Sequence, residues 1–219
     1  MNITRIISQA NQKFGLLKCT CHFVTDWKRR KLLYLTIVRS QFQHCSPVWR
    51  PNELNGTTLL DKFESFQKKC LKWILCEEEL SYHSHHTYIN KCRQVDILPL
   101  YYRFKVTDLM LFHQLVYNLI PLKLPKYLTI YDGSTPLRTT HLDSLSYVSN
   151  LEYSTTGINN LNKSFFFRCH SLWNSIPLEI KSLHKPTECN TELIKYFWSQ
   201  LLTREIDTDE SGLSTDEND

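Results

Sequence analysis

Residues 58–74 read TLLDKFESFQKKCLKWI. Leu59, Phe63, Phe66, Cys70 and Trp73 or Ile74 recur along them every three or four positions, the spacing that places side chains on one face of an α-helix. Thr58 offers a hydroxyl to cap the first turn, and Asp61 suits the positive end of the helix dipole. The opposite stripe, Lys62, Ser65, Lys69 and Lys72, keeps the same rhythm and is basic, with Lys68 alongside. A stripe of that kind is commonly only the solvated face of a helix; contact with phosphates is the alternative. One apolar and one cationic face set the expectation for the chain as a whole, a mainly α fold with a basic exterior.

The same periodicity extends in both directions. Between Arg30 and Cys45, the residues Leu35, Val38, Phe42 and Cys45 share one side of a helix, which Pro47 and Pro51 should end. A longer helix is expected from Tyr101 to Asn118, with Tyr101, Phe104, Leu111, Leu115 and Leu119 inward. Asp108 falls on that inward side, and a buried carboxylate requires a partner, for which Arg138 or Arg168 is available. From 121 to 163 the pattern breaks into short apolar pairs among Ser, Thr, Asn and Gly. Leu128, Ile130, Leu145, Tyr147, Leu151 and Tyr153 alternate there, so short strands or an extended loop are expected. Helical spacing returns with Phe165, Cys169, Leu172 and Ile176. Pro177 suits the first turn of a short helix, and Ile194, Phe197 or Trp198 and Leu201 build a last one. The organisation read from these patterns is an N-terminal segment over 1–27, a helical region over 28–120, an irregular or short-strand connection over 121–163, a C-terminal helical region over 164–204 and an acidic disordered tail over 205–219.

Composition narrows the function. With 219 residues and 42% hydrophobic residues the chain is long enough to bury a core without disulfides or metal, and five Gly and eight Pro exclude collagen-like composition. The formal charge of +4 conceals an asymmetry, since seven of the 22 acids lie beyond residue 204 with no base among them; residues 1–204 carry +11. A basic body concentrates polyanions, of which nucleic acid is the commonest. The cationic residues proposed to meet its backbone are Lys28, Arg29, Arg30 and Lys31 together with Lys62, Lys69 and Lys72, because a short connection from Pro51 to Thr57 lets the second helix turn back beside the first. A solvated helix start or an import-like basic run is the competing reading of Lys28 to Lys31.

No membrane-length apolar run and no signal-type apolar core occurs, which points to an intracellular protein, nuclear or cytoplasmic. Its eight cysteines are then expected as thiols. Cys19-x-Cys21-His22 is too tight for the usual paired zinc ligands. Among Cys70, Cys76, His83, His85, His86 and Cys92, only Cys76-x6-His83 with His86-x5-Cys92 could be bent into a zinc site, and no metal or other cofactor is expected. No P-loop, dinucleotide glycine turn or nucleophile elbow is present. Cys169 and His170 are adjacent and project about 100 degrees apart on a helix, a poor nucleophile and base pair.

Four stretches carry a resemblance. LYLTIVRSQFQHCSPVWRP at 33–51 resembles the segment just past the polymerase thumb of non-LTR (LINE-type) retrotransposon reverse transcriptases, and Leu59 to Ile74 with its KKCLKWI close is similar to the helix that follows. Ile97-Leu98-Pro99-Leu100 with Arg103, Asp108 and Leu109 resembles the next block. Ser164-Phe165-Phe166, Arg168 and Leu172-Trp173-Asn174-Ser175-Ile176-Pro177 resemble the closing one. The blocks stand in the family's order over roughly residues 28 to 200. The resemblance implies a helical fragment of a transposable-element RNA-directed DNA polymerase that extends the RNA- or DNA-binding surface beside the thumb. It also implies structural roles for Pro47, Trp49, Trp73, Arg103, Asp108, Arg168, Trp173, Asn174 and Pro177. The family's paired catalytic aspartates have no counterpart, because the sequence contains no Asp-Asp dipeptide, and the zinc knuckle of some relatives is not reproduced. The expectation is a non-catalytic remnant, not an enzyme, with weak sequence-independent binding to RNA or DNA backbone. A protein-interaction or structural module is the alternative. Under it, Trp49, Trp73, Phe63 and Phe66 form an aromatic patch left uncovered by the missing thumb and favour self-association.

Overall fold

A computed structural model of the chain describes residues 3–50, 57–76, 85–122, 128–130, 147–149 and 165–212. The fold is mainly α. Helix α1 (Ile3–Thr20) is followed by α2 (Trp27–Leu33), which runs through a π-helical stretch (Tyr34–Arg39) into α3 (Ser40–Gln43). Then come α4 (Ser46–Trp49), α5 (Thr57–Ile74), α6 (His85–Gln94) and α7 (Leu100–Val116). Strands β1 (Leu128–Ile130) and β2 (Tyr147–Ser149) pair antiparallel with Thr129 opposite Val148, and α8 (Phe165–Ser175), α9 (Leu178–Lys181) and α10 (Pro186–Gly212) complete the chain. Two compact units share these elements, one built from residues 1–44, 58–103 and 193–219, the other from 45–57 and 104–192.

In the first unit α5 buries Leu60, Phe63, Phe66, Cys70, Leu71, Trp73 and Ile74, close to the stripe read from its spacing; Leu59 is half-buried and Leu60 takes the inward place. Within residues 1–27, expected only as an N-terminal segment, Ile3–Thr20 form α1, whose Ile6, Ala10, Phe14 and Leu17 face inward. Phe14 meets Phe66 and Trp73 edge to face, each at 5.8 Å, and Phe42 meets Phe63 at 5.2 Å and Phe66 at 5.3 Å. These contacts overturn the uncovered aromatic patch. Phe63, Phe66 and Trp73 are 0, 2 and 9% exposed because α1 and Phe42 cover them, and Trp49, at 8%, is covered in the second unit with Phe104 beside it. Among the described residues, the large apolar side chains left most open are Leu16, Phe23, Leu32 and Val48.

The helix expected over 30–45 differs in phase. Tyr34, Val38 and Phe42 are buried, whereas Leu35 is half-buried and Cys45 exposed. The π-helical stretch widens the turn and shifts the face that a 3.6-residue period would choose. The helix stops at Gln43, before the prolines, Cys45 takes a left-handed conformation (φ 52°), and Pro47 lies in the first turn of α4.

In the second unit α7 is buried around much of its circumference. Phe104, Val106, Asp108, Leu109, Phe112, His113 and Leu115 are inside, while Leu111 is half-buried and Leu119, expected inward, is exposed past the helix end. Trp173 of α8 packs on Phe112 at 5.4 Å. His113 Nε2 donates to the Leu183 carbonyl at 2.5 Å, and burial pushes its imidazole below the usual 6.5, toward the neutral form. Pro177 stands immediately before α9. In α10 the buried series is Cys189, Leu193, Phe197 and Leu201, with Leu193 rather than Ile194 inward. That helix continues to Gly212, eight residues into the stretch expected as a disordered tail, since adding turns to a nucleated helix costs little and no Pro or Gly interrupts it earlier.

Candidate nucleic-acid interface

The cationic site of the first unit is assembled from three chain segments. The last turns of α1 supply Phe14 and Lys18, and the turn beyond supplies His22, whose Nδ1 is 3.0 Å from the Cys19 carbonyl. Asp26 then starts α2 by accepting a hydrogen bond from the Lys28 N–H at 3.0 Å, which sets Arg30 one turn inside the helix. Arg30 is buried. Its Nε donates to the Val24 carbonyl and its Nη1 to the Trp73 carbonyl, both at 2.5 Å, and its guanidinium lies over the Trp73 ring at 5.1 Å. The end of α5 contributes Lys69, Lys72, Trp73 and Cys76, the last in a left-handed conformation (φ 58°) with its thiol donating to the Thr25 carbonyl at 3.5 Å.

These eight residues line a cavity of about 580 Å³, the size range of small-molecule sites. Lys18, Arg30, Lys69 and Lys72 give it four permanent cations, and among the described residues no carboxylate lines it. Lys18 and Lys69 are exposed and make no ion pair among the described residues. Positive charge gathered in a concavity is a standing attraction for an anion.

Of the residues selected from the sequence, the cavity unites Arg30, Lys69 and Lys72. The others are elsewhere. Arg29 pairs with Asp26 at 3.7 Å, Lys31 with Asp96 at 3.6 Å, Lys28 lies 5.8 Å from the Trp27 ring, and Lys62 is exposed on α5. Arg30, read as part of an open basic run, is a buried strut whose donors hold backbone carbonyls. Lys18 and His22 were missed. The available signal was Lys18 four positions after Phe14, one helical turn from an aromatic residue, with its ammonium 5.9 Å from the ring.

The family-type residues fall mainly in the second unit, and three of the four quoted blocks meet there. Asp108 is fully buried, and its Oδ2 accepts from Arg50 Nη1 at 2.8 Å and from Arg168 Nε at 3.5 Å. Arg168 Nη2 also donates to the Pro47 carbonyl at 2.9 Å, and Trp49 packs against Phe104 at 5.7 Å. Arg168 is thus one of the two partners foreseen for Asp108; Arg138 lies outside the described residues, and Arg50 was not foreseen. Burial pushes the Asp108 carboxyl up, and the two guanidinium groups pull it back down. Asn174 accepts at its carbonyl from Lys181 Nζ at 3.5 Å. Arg103, in the first unit, is half-buried, and desolvation with Arg39 nearby lowers it to about 10.

Cys92, one of the residues considered for zinc, is buried, and burial pushes its thiol up to about 12. His83 lies outside the described residues, as do the side chains of His85 and His86. No group of three His, Cys, Asp or Glu suited to a metal ion occurs among the described residues. Cys169 is buried with its thiol held well above the usual 9.0, first by desolvation and then by Asp108, so it stays protonated. Among the described residues no helix is long and apolar enough to cross a membrane. No family model, curated protein or solved structure matches this chain.

Proposed function

We propose that this chain is the post-thumb region of a LINE-type reverse transcriptase, acting without catalysis and binding the sugar-phosphate backbone of nucleic acid independently of sequence. The observation that carries the binding role is the cavity in which Lys18, Arg30, Lys69 and Lys72 converge with no lining carboxylate among the described residues. The family assignment draws support from the hydrogen-bonded meeting of Pro47, Arg50, Asp108 and Arg168, because these residues come from separate blocks of the resemblance. Phosphate contacts position a protein on its ligand and carry no sequence information, whereas base-edge readers are needed for specificity.

The test is fluorescence anisotropy of the full chain with single-stranded oligonucleotides of unrelated sequence over a range of KCl concentrations. Affinity should fall log-linearly with salt at a slope of roughly 0.7 per neutralised phosphate and differ little between sequences. Binding insensitive to salt, or confined to one sequence, overturns the proposal. Primer-template mixtures with Mg²⁺ should show no nucleotide incorporation. A protein-interaction role is favoured by one observation, the exposure of Leu16, Phe23 and Leu32; concentration-dependent sedimentation relieved by L32S would support it.

A further inference from the structure

Leaving Lys72 aside, Lys18, Arg30 and Lys69 still bring three permanent cations, more than one phosphodiester, with its single charge, would neutralise. The aromatic residues of the cavity are already committed. One face of Trp73 is covered by the Arg30 guanidinium, and its ring meets Phe14 edge to face, so the indole is not presented as a platform for a base. Grooves that track single strands depend on such platforms, with successive bases stacked on open aromatic rings. Here the groups left for a ligand are the ammonium groups of Lys18 and Lys69 and the Nη2 of Arg30, which has no hydrogen-bond partner among the described residues. The carbonyls of Val24 and Trp73 fix the plane of that guanidinium in advance, so the N–H groups of Nη2 are held in one direction for a phosphate oxygen. The lining comes from α1 and the turn after it, from α2 and from the end of α5, so three chain segments surround one concavity.

We propose that this cavity holds a terminal phosphate, a group with at least two negative charges, in preference to an internal phosphodiester. The inference deepens the nucleic-acid reading above and rests on it. Two sources share the chemistry, the phosphorylated end of a strand and a free di- or triphosphate.

The experiment compares one oligonucleotide with a 5′-hydroxyl and with a 5′-phosphate, using the full chain and its K18A, K69A and K62A variants, with folding checked by circular dichroism. In parallel, alkylation of Cys76 by N-ethylmaleimide is followed by peptide mass spectrometry with and without inorganic pyrophosphate. Cys76 lines the cavity, and exposed Cys45, which does not line it, serves as the internal control. The 5′-phosphate should tighten binding by about tenfold, the scale of one added charge-assisted contact. K18A and K69A should erase that difference and K62A should keep it, while pyrophosphate slows alkylation of Cys76 and not of Cys45. Equal affinity for both strand ends, with salt-dependent binding intact and no protection of Cys76, overturns the terminal-phosphate inference and leaves the backbone reading standing. Protection of Cys76 by pyrophosphate when neither strand binds overturns the backbone reading and assigns the cavity to a free polyphosphate. Loss of the preference in K62A as well places the end-binding site outside the cavity and overturns the inference.

Discussion

The two units each bury arginine, and they treat it in opposite ways. In the second unit Arg50 and Arg168 enclose Asp108, and Arg168 also reaches the Pro47 carbonyl. In the first unit Arg30 is anchored by two backbone carbonyls and an indole face, and the other permanently charged side chains that line its cavity, among the described residues, are Lys18, Lys69 and Lys72. A carbonyl dipole satisfies hydrogen bonds without cancelling charge, whereas a carboxylate does both. The Asp108 cluster therefore closes a core, whereas the hydrogen bonds of Arg30 leave its own charge uncancelled.

The strongest way to break this contrast is Asp108→Ala. It leaves two guanidinium groups in the interior without their carboxylate, and stability should drop by about 3–5 kcal/mol in urea titration. A loss below about 1 kcal/mol would show that Arg50 and Arg168 are solvated well enough without it.

Arg30→Ala comes next. It removes two hydrogen bonds and the contact with Trp73, for an expected loss of about 2–3 kcal/mol. Arg30→Lys should recover little of this, since an ammonium does not reproduce the planar fork.

A smaller effect concerns pH. Burial raises the Glu64 carboxyl above its usual 4.5, opposed by hydrogen bonds from the Tyr88 hydroxyl and the Tyr101 N–H. The folded chain then holds a proton that the unfolded chain has released, so stability should decline as pH rises from 4.5 through the higher native value. Glu64→Gln should flatten that slope in urea melts taken between pH 4 and 7, and a slope unchanged by E64Q would assign it to other groups. The smallest effect on stability belongs to Lys18→Ala and Lys69→Ala, each within about 0.5 kcal/mol of the parent. Each should nevertheless reduce the salt slope of nucleic-acid binding by about one.

Local periodicity made α5, α7 and the C-terminal helices legible, but not α1 or α6. The stripe of α5 and the inward position of Asp108 follow from side-chain spacing, and the need of a buried carboxylate for a partner pointed to Arg138 or Arg168 without choosing between them and without Arg50. The cavity was legible only in part. Lys69 and Lys72 stand out on α5, but Lys18 belongs to a helix whose four inward residues are diluted by polar neighbours such as Asn11, Gln12 and Lys13. Arg30 reads as one member of a basic run because nothing local reveals that the Val24 and Trp73 carbonyls capture it. Contacts between residues 43 positions apart, as for Arg30 and Trp73, leave no periodic trace.

The π-helical stretch from Tyr34 to Arg39 amounts to a spare residue in the bookkeeping of the chain. An ordinary α-helix joining the same end points needs one residue fewer, so a relative without this feature would align only across a one-residue gap here. Removing exposed Ile37 is accordingly a deletion the first unit can absorb, with Tyr34 and Phe42 still facing inward. The same deletion within α5 has no slack to draw on, and it would rotate everything beyond it by about 100 degrees.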